Sequence, residues 1–162
     1  MYRPSQQWKQ FIWRAGRLLQ GEPEETTPLD RMDEAGRERF WEKGRGEVSR
    51  LTERLERQTG FTLEGKRVLD FGCGVGRNAV PLAERCEHVY ALDVSPKVLV
   101  EGARIAGEKG LANIDWMDAG ELATLSGSYD LVISVFVFQH IPAREGERAF
   151  RTIVQGLRPG GA

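Results

Sequence analysis

The stretch V-L-D-F-G-C-G-V-G-R, residues 68–77, decides how this 162-residue chain folds. It starts as an apolar run that ends in the acid Asp70, and it continues with three glycines in five residues, Gly72, Gly74 and Gly76. We predict a buried strand over Lys66–Phe71 and then a sharp turn, because glycine adopts positive φ and carries no Cβ. A small ligand can lie against bare peptide in such a turn. We expect a helix from Arg77, whose first free N–H groups face a polar or anionic part of that ligand.

The spacing of the glycines restricts the class of ligand. The dinucleotide fingerprint G-x-G-x-x-G requires glycine at position 77, which is Arg77. The phosphate-binding sequence G-x-x-x-x-G-K-[ST] does not occur in the chain. The remaining pattern, D-x-G-x-G-x-G, resembles the cofactor motif of class I S-adenosylmethionine (SAM) dependent methyltransferases. Another kind of glycine-rich strand-to-helix turn is the alternative.

The composition is that of an ordinary globular domain. The net charge is −1, with 40% hydrophobic and 29% charged residues, so we expect one domain that can bury a core. The sequence has no Lys/Arg-rich block of the kind that predicts nucleic-acid binding. Nucleic acid is therefore possible only as a methylation substrate. Cys73 and Cys86 fit neither a disulfide framework nor a metal-ligand spacing, and we predict no metal site. With reduced cysteines, no transmembrane-length apolar run and no signal-peptide pattern, we predict a cytoplasmic protein.

The first 60 residues read as a helical extension or lid, and residues 61–162 as the ligand-binding core. Gln6–Leu19 has helical apolar spacing and a basic polar face, which favours packing on the domain or over its cleft; membrane-surface contact is the alternative. Gly21–Pro28 reads as a linker. A second helical region covers Asp30–Gln58, with Gly44 and Gly46 as candidate breaks and Gly60 as its C-terminal stop. Its predicted buried stripe is Val48, Leu51 and Leu55.

From Lys66 onward strands and helices alternate, which is typical of βαβ units and a parallel sheet. We predict strands at Lys66–Phe71, His88–Asp93, Asn113–Met117 and Tyr129–Phe136, and helices at Arg77–Cys86, Pro96–Lys109, Gly120–Leu125 and Pro142–Gly156. The run Leu131–Phe138 is apolar apart from Ser134, so it is expected to be a central strand covered on both faces. The predicted fold class is therefore α/β, a Rossmann-like three-layer sandwich with a mainly parallel sheet, preceded by N-terminal helices.

Ligands of open parallel sheets bind beyond the carboxyl ends of the strands, and several residues of interest fall there. Asp93 closes the second strand, where a carboxylate can accept hydrogen bonds from both ribose hydroxyls. Its alternative role is that of an acid at a helix start. The resemblance implies that Asp118 accepts from the adenine amino group, and N-capping is the rival use of that carboxylate. The cofactor contacts implied by the resemblance are Asp70, Gly72, Gly74, Gly76, Asp93, Val94, Asp118, Ala119 and Phe136.

The segment after the fourth strand is similar to the one that walls the cofactor and faces the substrate in this family. Phe136 is the expected wall. His140 is the candidate general base, because imidazole transfers protons near neutral pH, although a capping or packing role is equally compatible with His-Ile-Pro at a helix start. The segment F-W-E-K-G-R, residues 40–45, also resembles a family element whose aromatic side chains cover the cofactor.

The resemblance covers residues 40–162 and implies methyl transfer from SAM to an acceptor, most simply a small molecule. A non-catalytic SAM-binding module or partner subunit is the second hypothesis, and a nicotinamide-dependent oxidoreductase is a weaker third. L-R-P-G-G, residues 157–161, matches the turn that introduces the family's fifth strand, and the given sequence stops one residue later. We therefore expect an incomplete sheet, an open edge at the fourth strand and self-association through that edge.

Overall fold

The computed structural model of the chain describes residues 27–162. Four parallel strands form one sheet in the order β3-β2-β1-β4. The strands are β1 (Arg67–Phe71), β2 (His88–Asp93), β3 (Ile114–Asp118) and β4 (Leu131–Ile133). The helices are α1 (Glu34–Thr59), α2 (Ala79–Ala83), α3 (Pro96–Glu108) and α4 (Ala143–Gly156), with 3₁₀ turns at Pro28–Arg31, Ala119–Leu125 and Phe138–His140. The predicted Rossmann-like α/β fold is confirmed, and the predicted helix Gln6–Leu19 lies outside the described residues.

Alternation along β1 distributes the core between the two faces of the sheet. Val68 packs in a cluster with side chains of α1, α2 and α3, whereas Leu69 and Phe71 pack in a cluster with α4 and the Ala119–Leu125 turn. Helices therefore cover both faces of the parallel sheet. The division of the chain at residue 60 stays a prediction, and we note that α1 contributes Val48 to the same cluster as Val68.

Helix α1 runs without a break through Gly44 and Gly46, so the predicted interruption is wrong. Asp33 caps its start by accepting from the Gly36 N–H at 2.7 Å, and Gly60 ends it with φ 73°, as predicted. The buried stripe is Gly44, Val48 and Thr52, at intervals of four residues. Leu51, predicted to be buried, is 46% exposed because it lies one residue away from that stripe.

Helix α2 is shorter than the predicted Arg77–Cys86. Gly76 has φ 88°, which is incompatible with a helix, and the regular helix begins three residues later, at Ala79. At the other end Arg85 and Cys86 both donate to the Leu82 carbonyl, at 2.9 and 3.0 Å, which closes the helix in a tight turn. A helix of this length offers a ligand little of the predicted N-terminal dipole.

Strand β4 differs most from its prediction, because only Leu131–Ile133 pair with β1, and not Tyr129–Phe136. Ser134 leaves the ladder and donates its hydroxyl to the Phe71 carbonyl at 3.0 Å. Beyond it the chain turns outward, and Phe136 is 66% exposed, so the predicted cover on both faces is wrong.

The outer edge of β4 is paired in part. Ala162 donates to the Asp130 carbonyl and accepts from the Val132 N–H, both at 2.9 Å, and Tyr129 forms a parallel bridge with Leu157. The expectation of a fully unpaired edge is therefore wrong along this part of β4. Self-association through the remaining edge stays a prediction.

Candidate functional site

The three glycines of the turn after β1 have positive φ, at 80°, 56° and 88°, and each has its own surroundings. A Cβ on Gly72 would lie 2.2 Å from a methyl group of Val137, and one on Gly76 would lie 2.5 Å from the Trp116 ring. Gly74 has no heavy atom within 4 Å of that position. Gly72 and Gly76 therefore allow close packing, whereas Gly74 presents bare peptide to open space, as a ligand contact requires.

The turn is fastened to the neighbouring strand. The N–H groups of Gly72 and Cys73 both donate to the Leu92 carbonyl, at 2.7 and 2.9 Å. The Gly74 N–H donates to Asp93 Oδ2 at 3.0 Å. These bonds fix the shape of the turn against the end of β2.

Asp70 is 1% exposed at the end of β1, and its Oδ2 has no hydrogen-bond partner within residues 27–162. Burial and then the charge of Asp93 raise the pKa of Asp70 to about 7, against the opposing effects of the Ala79 N–H and Arg77. An unsatisfied buried carboxyl oxygen beside an open glycine fits a ligand that brings a donor or a positive charge.

Asp93 ends β2, and both of its oxygens accept backbone hydrogen bonds. Oδ2 accepts from Gly74, and Oδ1 accepts from the Ser95 N–H at 2.9 Å. Burial raises the pKa of Asp93, and the nearby N–H groups of Ser95, Gly74 and Val94 lower it in part. The bond to Ser95, next to the start of α3, agrees with the helix-start role, and ribose binding stays a prediction.

Asp118 lies beside Asp93, because the two residues are partners in the β2–β3 register. Its Oδ1 accepts from the Gly120 N–H at 2.7 Å, and its own N–H donates to Glu121 Oε1 at 3.0 Å. This capping box confirms the N-cap role. Ala119, the next residue, is 2% exposed. Binding of adenine by Asp118 and Ala119 stays a prediction.

Phe136 is the only non-glycine residue with positive φ within residues 27–162, at 60°. A bulky residue in this region is strained, and such strain concentrates at functional sites. Its ring lines a groove shared with α1, and its role as a wall of the cofactor pocket stays a prediction.

His140 is exposed in the 3₁₀ turn after β4, and its Nε2 lies 3.1 Å from Nε2 of Gln139. This position leaves the imidazole accessible to an acceptor. Its role as general base stays a prediction.

The F-W-E-K-G-R segment lies against the glycine turn. Phe40 and Trp41 pack with Val75 of that turn, and a Cβ on Gly44 would lie 2.1 Å from the Arg77 carbonyl oxygen. Glu47, one turn further along α1, forms an ion pair with Arg77 at 3.0 Å. Sequence reasoning missed this contact, although a glycine in mid-helix is itself a signal of close approach.

The structure therefore brings together three carboxylates, Asp70, Asp93 and Asp118, at the carboxyl ends of three adjacent strands. The open Gly74 donates its N–H to the second of them, Asp93. This arrangement suits a ligand with several hydrogen-bond donors.

Among residues 27–162, none of the helices combines the length and the apolar character that spanning a membrane requires.

Comparison with known proteins gives consistent results. The chain is 39% identical over 84 residues to a magnesium-protoporphyrin O-methyltransferase of Synechocystis sp., covering 51% of this chain and 36% of the relative. It is 39% identical over 101 residues to a ubiquinone biosynthesis O-methyltransferase of Caulobacter sp., covering 60% and 39%. The chain thus spans well under half the length of these relatives.

Solved structures show the same fold. The magnesium protoporphyrin IX methyltransferase of Synechocystis PCC 6803 with bound SAM has a TM-score of 0.59 and 25% identity, over 92% of this chain and 69% of that one. The Haemonchus contortus phosphoethanolamine N-methyltransferase 1, in complex with phosphoethanolamine and S-adenosylhomocysteine, has a TM-score of 0.63 at 17% identity, over 95% and 31%.

Residues 68–161 match the family model described as "Methyltransferase domain". That match covers more than half of the chain and all three carboxylates. On this match and the observed fold, the chain belongs to the class I SAM-dependent methyltransferase family.

Proposed function

We propose that this chain binds SAM at the glycine turn and transfers its methyl group to a small-molecule acceptor. The observation that carries the proposal is the set of Asp70, Asp93 and Asp118 at the carboxyl ends of adjacent strands, with the open Gly74 bonded to Asp93. SAM offers one group of donors to each acid: an ammonium, two ribose hydroxyls and an adenine amino group. The relatives named above are O- and N-methyltransferases, which supports an oxygen or nitrogen acceptor.

Each residue has a distinct proposed role. The unpartnered Oδ2 of Asp70 faces the ammonium, directly or through a water, and Asp93 accepts from the ribose. Asp118 and the Ala119 N–H bind adenine, while Val94 and Phe136 supply apolar contact. When bound, the cofactor supplies an electrophilic sulfonium methyl group, and the protein contributes chiefly by holding the acceptor in line with it.

His140 is the proposed proton acceptor for an acceptor hydroxyl or amine. Residues 1–60 form the proposed extension or lid, with Gln6–Leu19 packing on the domain, and the proposed compartment is the cytoplasm.

Isothermal titration of the 162-residue chain tests the cofactor. We expect S-adenosylhomocysteine to bind and NADH not to bind, because Arg77 replaces the third glycine of the dinucleotide motif. Binding of NADH without S-adenosylhomocysteine would overturn the proposal. Release of S-adenosylhomocysteine from SAM in the presence of hydroxyaryl acceptors then distinguishes an enzyme from a binding module.

A further inference from the structure

A groove of about 550 Å³ runs between α1 and the segment after β4. We call it the α1 groove, and its lining residues are Glu47, Arg50, Leu51, Glu53, Arg54, Arg57, Val135 and Phe136. Its volume is that of a site for one small organic molecule. The groove adjoins the glycine turn, because Glu47 at its end forms an ion pair with Arg77, the residue directly after Gly76.

The helix side of the groove is positively charged. Arg50, Arg54 and Arg57 lie four and three residues apart, which places them on one side of α1. Within residues 27–162 none of the three forms an ion pair. The Glu47 carboxylate is paired with Arg77, so among the residues that line the groove Glu53 is the one acid left to oppose the arginines. Like charges at this spacing disfavour a helix, and a bound anion would relieve that repulsion.

The opposite side of the groove is apolar. It is formed by Val135 and Phe136, and Phe136 is 66% exposed. On the helix side Leu51, which is 46% exposed, adds apolar surface between the arginines. Leu51 also lines a neighbouring apolar cavity of about 170 Å³ with Leu55 and Leu131. Phe136, whose φ is 60°, lies at the groove beyond the carboxyl end of β4. An aromatic surface opposite guanidinium groups matches a ligand with an apolar ring and an anionic substituent.

We propose that the α1 groove selects acceptors that carry an anionic group on an aromatic body. Arg50 and Arg54 bind a carboxylate, which guanidinium groups recognise through paired hydrogen bonds, while the ring lies on Phe136 and Leu51. This inference rests on the proposed function, since it names the acceptor of that reaction. The groove volume and the net charge of −1 disfavour a polyanionic macromolecule.

The test uses 1-hydroxy-2-naphthoate and its carboxamide as matched anionic and neutral probes. Each is titrated calorimetrically into the 162-residue chain saturated with S-adenosylhomocysteine. We expect the naphthoate to bind at least tenfold more tightly than the carboxamide, and this difference to shrink at high salt. The double variant Arg50→Gln/Arg54→Gln should lose at least tenfold in affinity for the naphthoate and little for the carboxamide.

Arg148→Gln is the matched control, because it removes an exposed arginine from α4, on the opposite face of the sheet. It should leave both affinities unchanged. Equal binding of the two probes, no binding of either, or no effect of the double variant would overturn the inference while S-adenosylhomocysteine still binds. A deca-glutamate peptide is a further probe. If it binds where the naphthoate does not, and the double variant loses that binding, the small-molecule inference is overturned in favour of a protein partner. Failure of S-adenosylhomocysteine to bind would instead reject the proposed function.

Discussion

The carboxylate of Asp93 accepts a 3.0 Å hydrogen bond from the backbone N–H of Gly74. This bond joins the end of β2 to the turn that follows β1. A carboxylate has about four acceptor positions, and two of those on Asp93 are used by Gly74 and Ser95. The remaining positions suffice for two ribose hydroxyls. Asp93 therefore shapes the site and keeps acceptor capacity for a ligand.

Asp93→Ala should weaken binding of S-adenosylhomocysteine by about 1–3 kcal/mol, because it removes a buried acceptor and releases the Gly74 N–H. Calorimetry on the folded variant measures this change. Asp115→Asn is the control, since Asp115 is an exposed acid on β3, where it faces His88 at 3.1 Å. Equal affinity of wild type and Asp93→Ala would remove Asp93 from the site.

Asp70→Asn should change how stability depends on pH. The folded pKa of Asp70, about 7, lies above its ordinary value of about 3.9. Between these values the folded state binds more protons than the unfolded state, so Asp70 lowers the free energy of unfolding as pH rises, by at most about 1.4 kcal/mol per pH unit.

Asparagine carries no charge, so the variant should gain stability relative to wild type from about pH 4 to pH 7. Urea unfolding at pH 5, 6 and 7.5 measures the difference. A difference that does not vary with pH would show that Asp70 titrates normally.

Gly44→Ala and Gly46→Ala should have opposite effects, although both glycines lie inside α1. A Cβ on Gly44 would overlap the Arg77 carbonyl oxygen at 2.1 Å, which forces backbone apart and should cost about 1–3 kcal/mol. A Cβ on Gly46 meets only the end of the Arg50 side chain, at 3.7 Å, so helix propensity should stabilise the protein by about 0.5–1 kcal/mol. Thermal unfolding of the two variants compares them directly. Stabilisation by Gly44→Ala would contradict the close contact.

Phe136→Gly should raise the free energy of unfolding by about 1 kcal/mol. Relief of positive-φ strain stabilises the folded state by about 1–3 kcal/mol. The extra backbone freedom of glycine in the unfolded state offsets about 0.5–1 kcal/mol of that gain. Phe136→Asn should act in the same direction, because asparagine tolerates this conformation. Phe136→Ala is the control that removes the ring and keeps the Cβ, so it should not stabilise the protein. If alanine matches glycine in urea unfolding, exposure of the ring, and not strain, explains the gain.

The sequence predicts the sheet and the glycine turn well, because their signals are local. An apolar run that ends in Asp70, followed by alternating glycines, defines a strand and a turn without reference to the rest of the chain. The pairing of Asp93 with Asp118 depends on the order of the strands in the sheet, which no local pattern states.

The errors arise where packing partners determine the outcome. The apolar run after Leu131 reads as a buried strand, yet its ladder with β1 ends at the pair Asp70–Ile133, and β1 itself ends one residue later at Phe71. The run therefore leaves the sheet, and Phe136 becomes exposed. Similarly, the sequence pattern around Gly44 predicts a helix break. The true reason for this glycine is its contact with Arg77, 33 positions away in sequence, which a local pattern cannot show. The α1 groove needs both α1 and the segment after β4, so no pattern within α1 could predict it.

Helix α1 touches the glycine turn, through Gly44 at the Arg77 carbonyl, and it also forms one side of the groove. A groove ligand that displaces α1 also displaces the peptide of Arg77, next to the glycines that receive the cofactor. Coupling between two binding sites is reciprocal. If bound cofactor raises the affinity of the groove for its ligand, a bound groove ligand must raise the affinity for the cofactor by the same factor. The affinity measured at one site then depends on whether the other site is occupied. The order in which the two ligands are added changes neither the final ternary complex nor its total free energy.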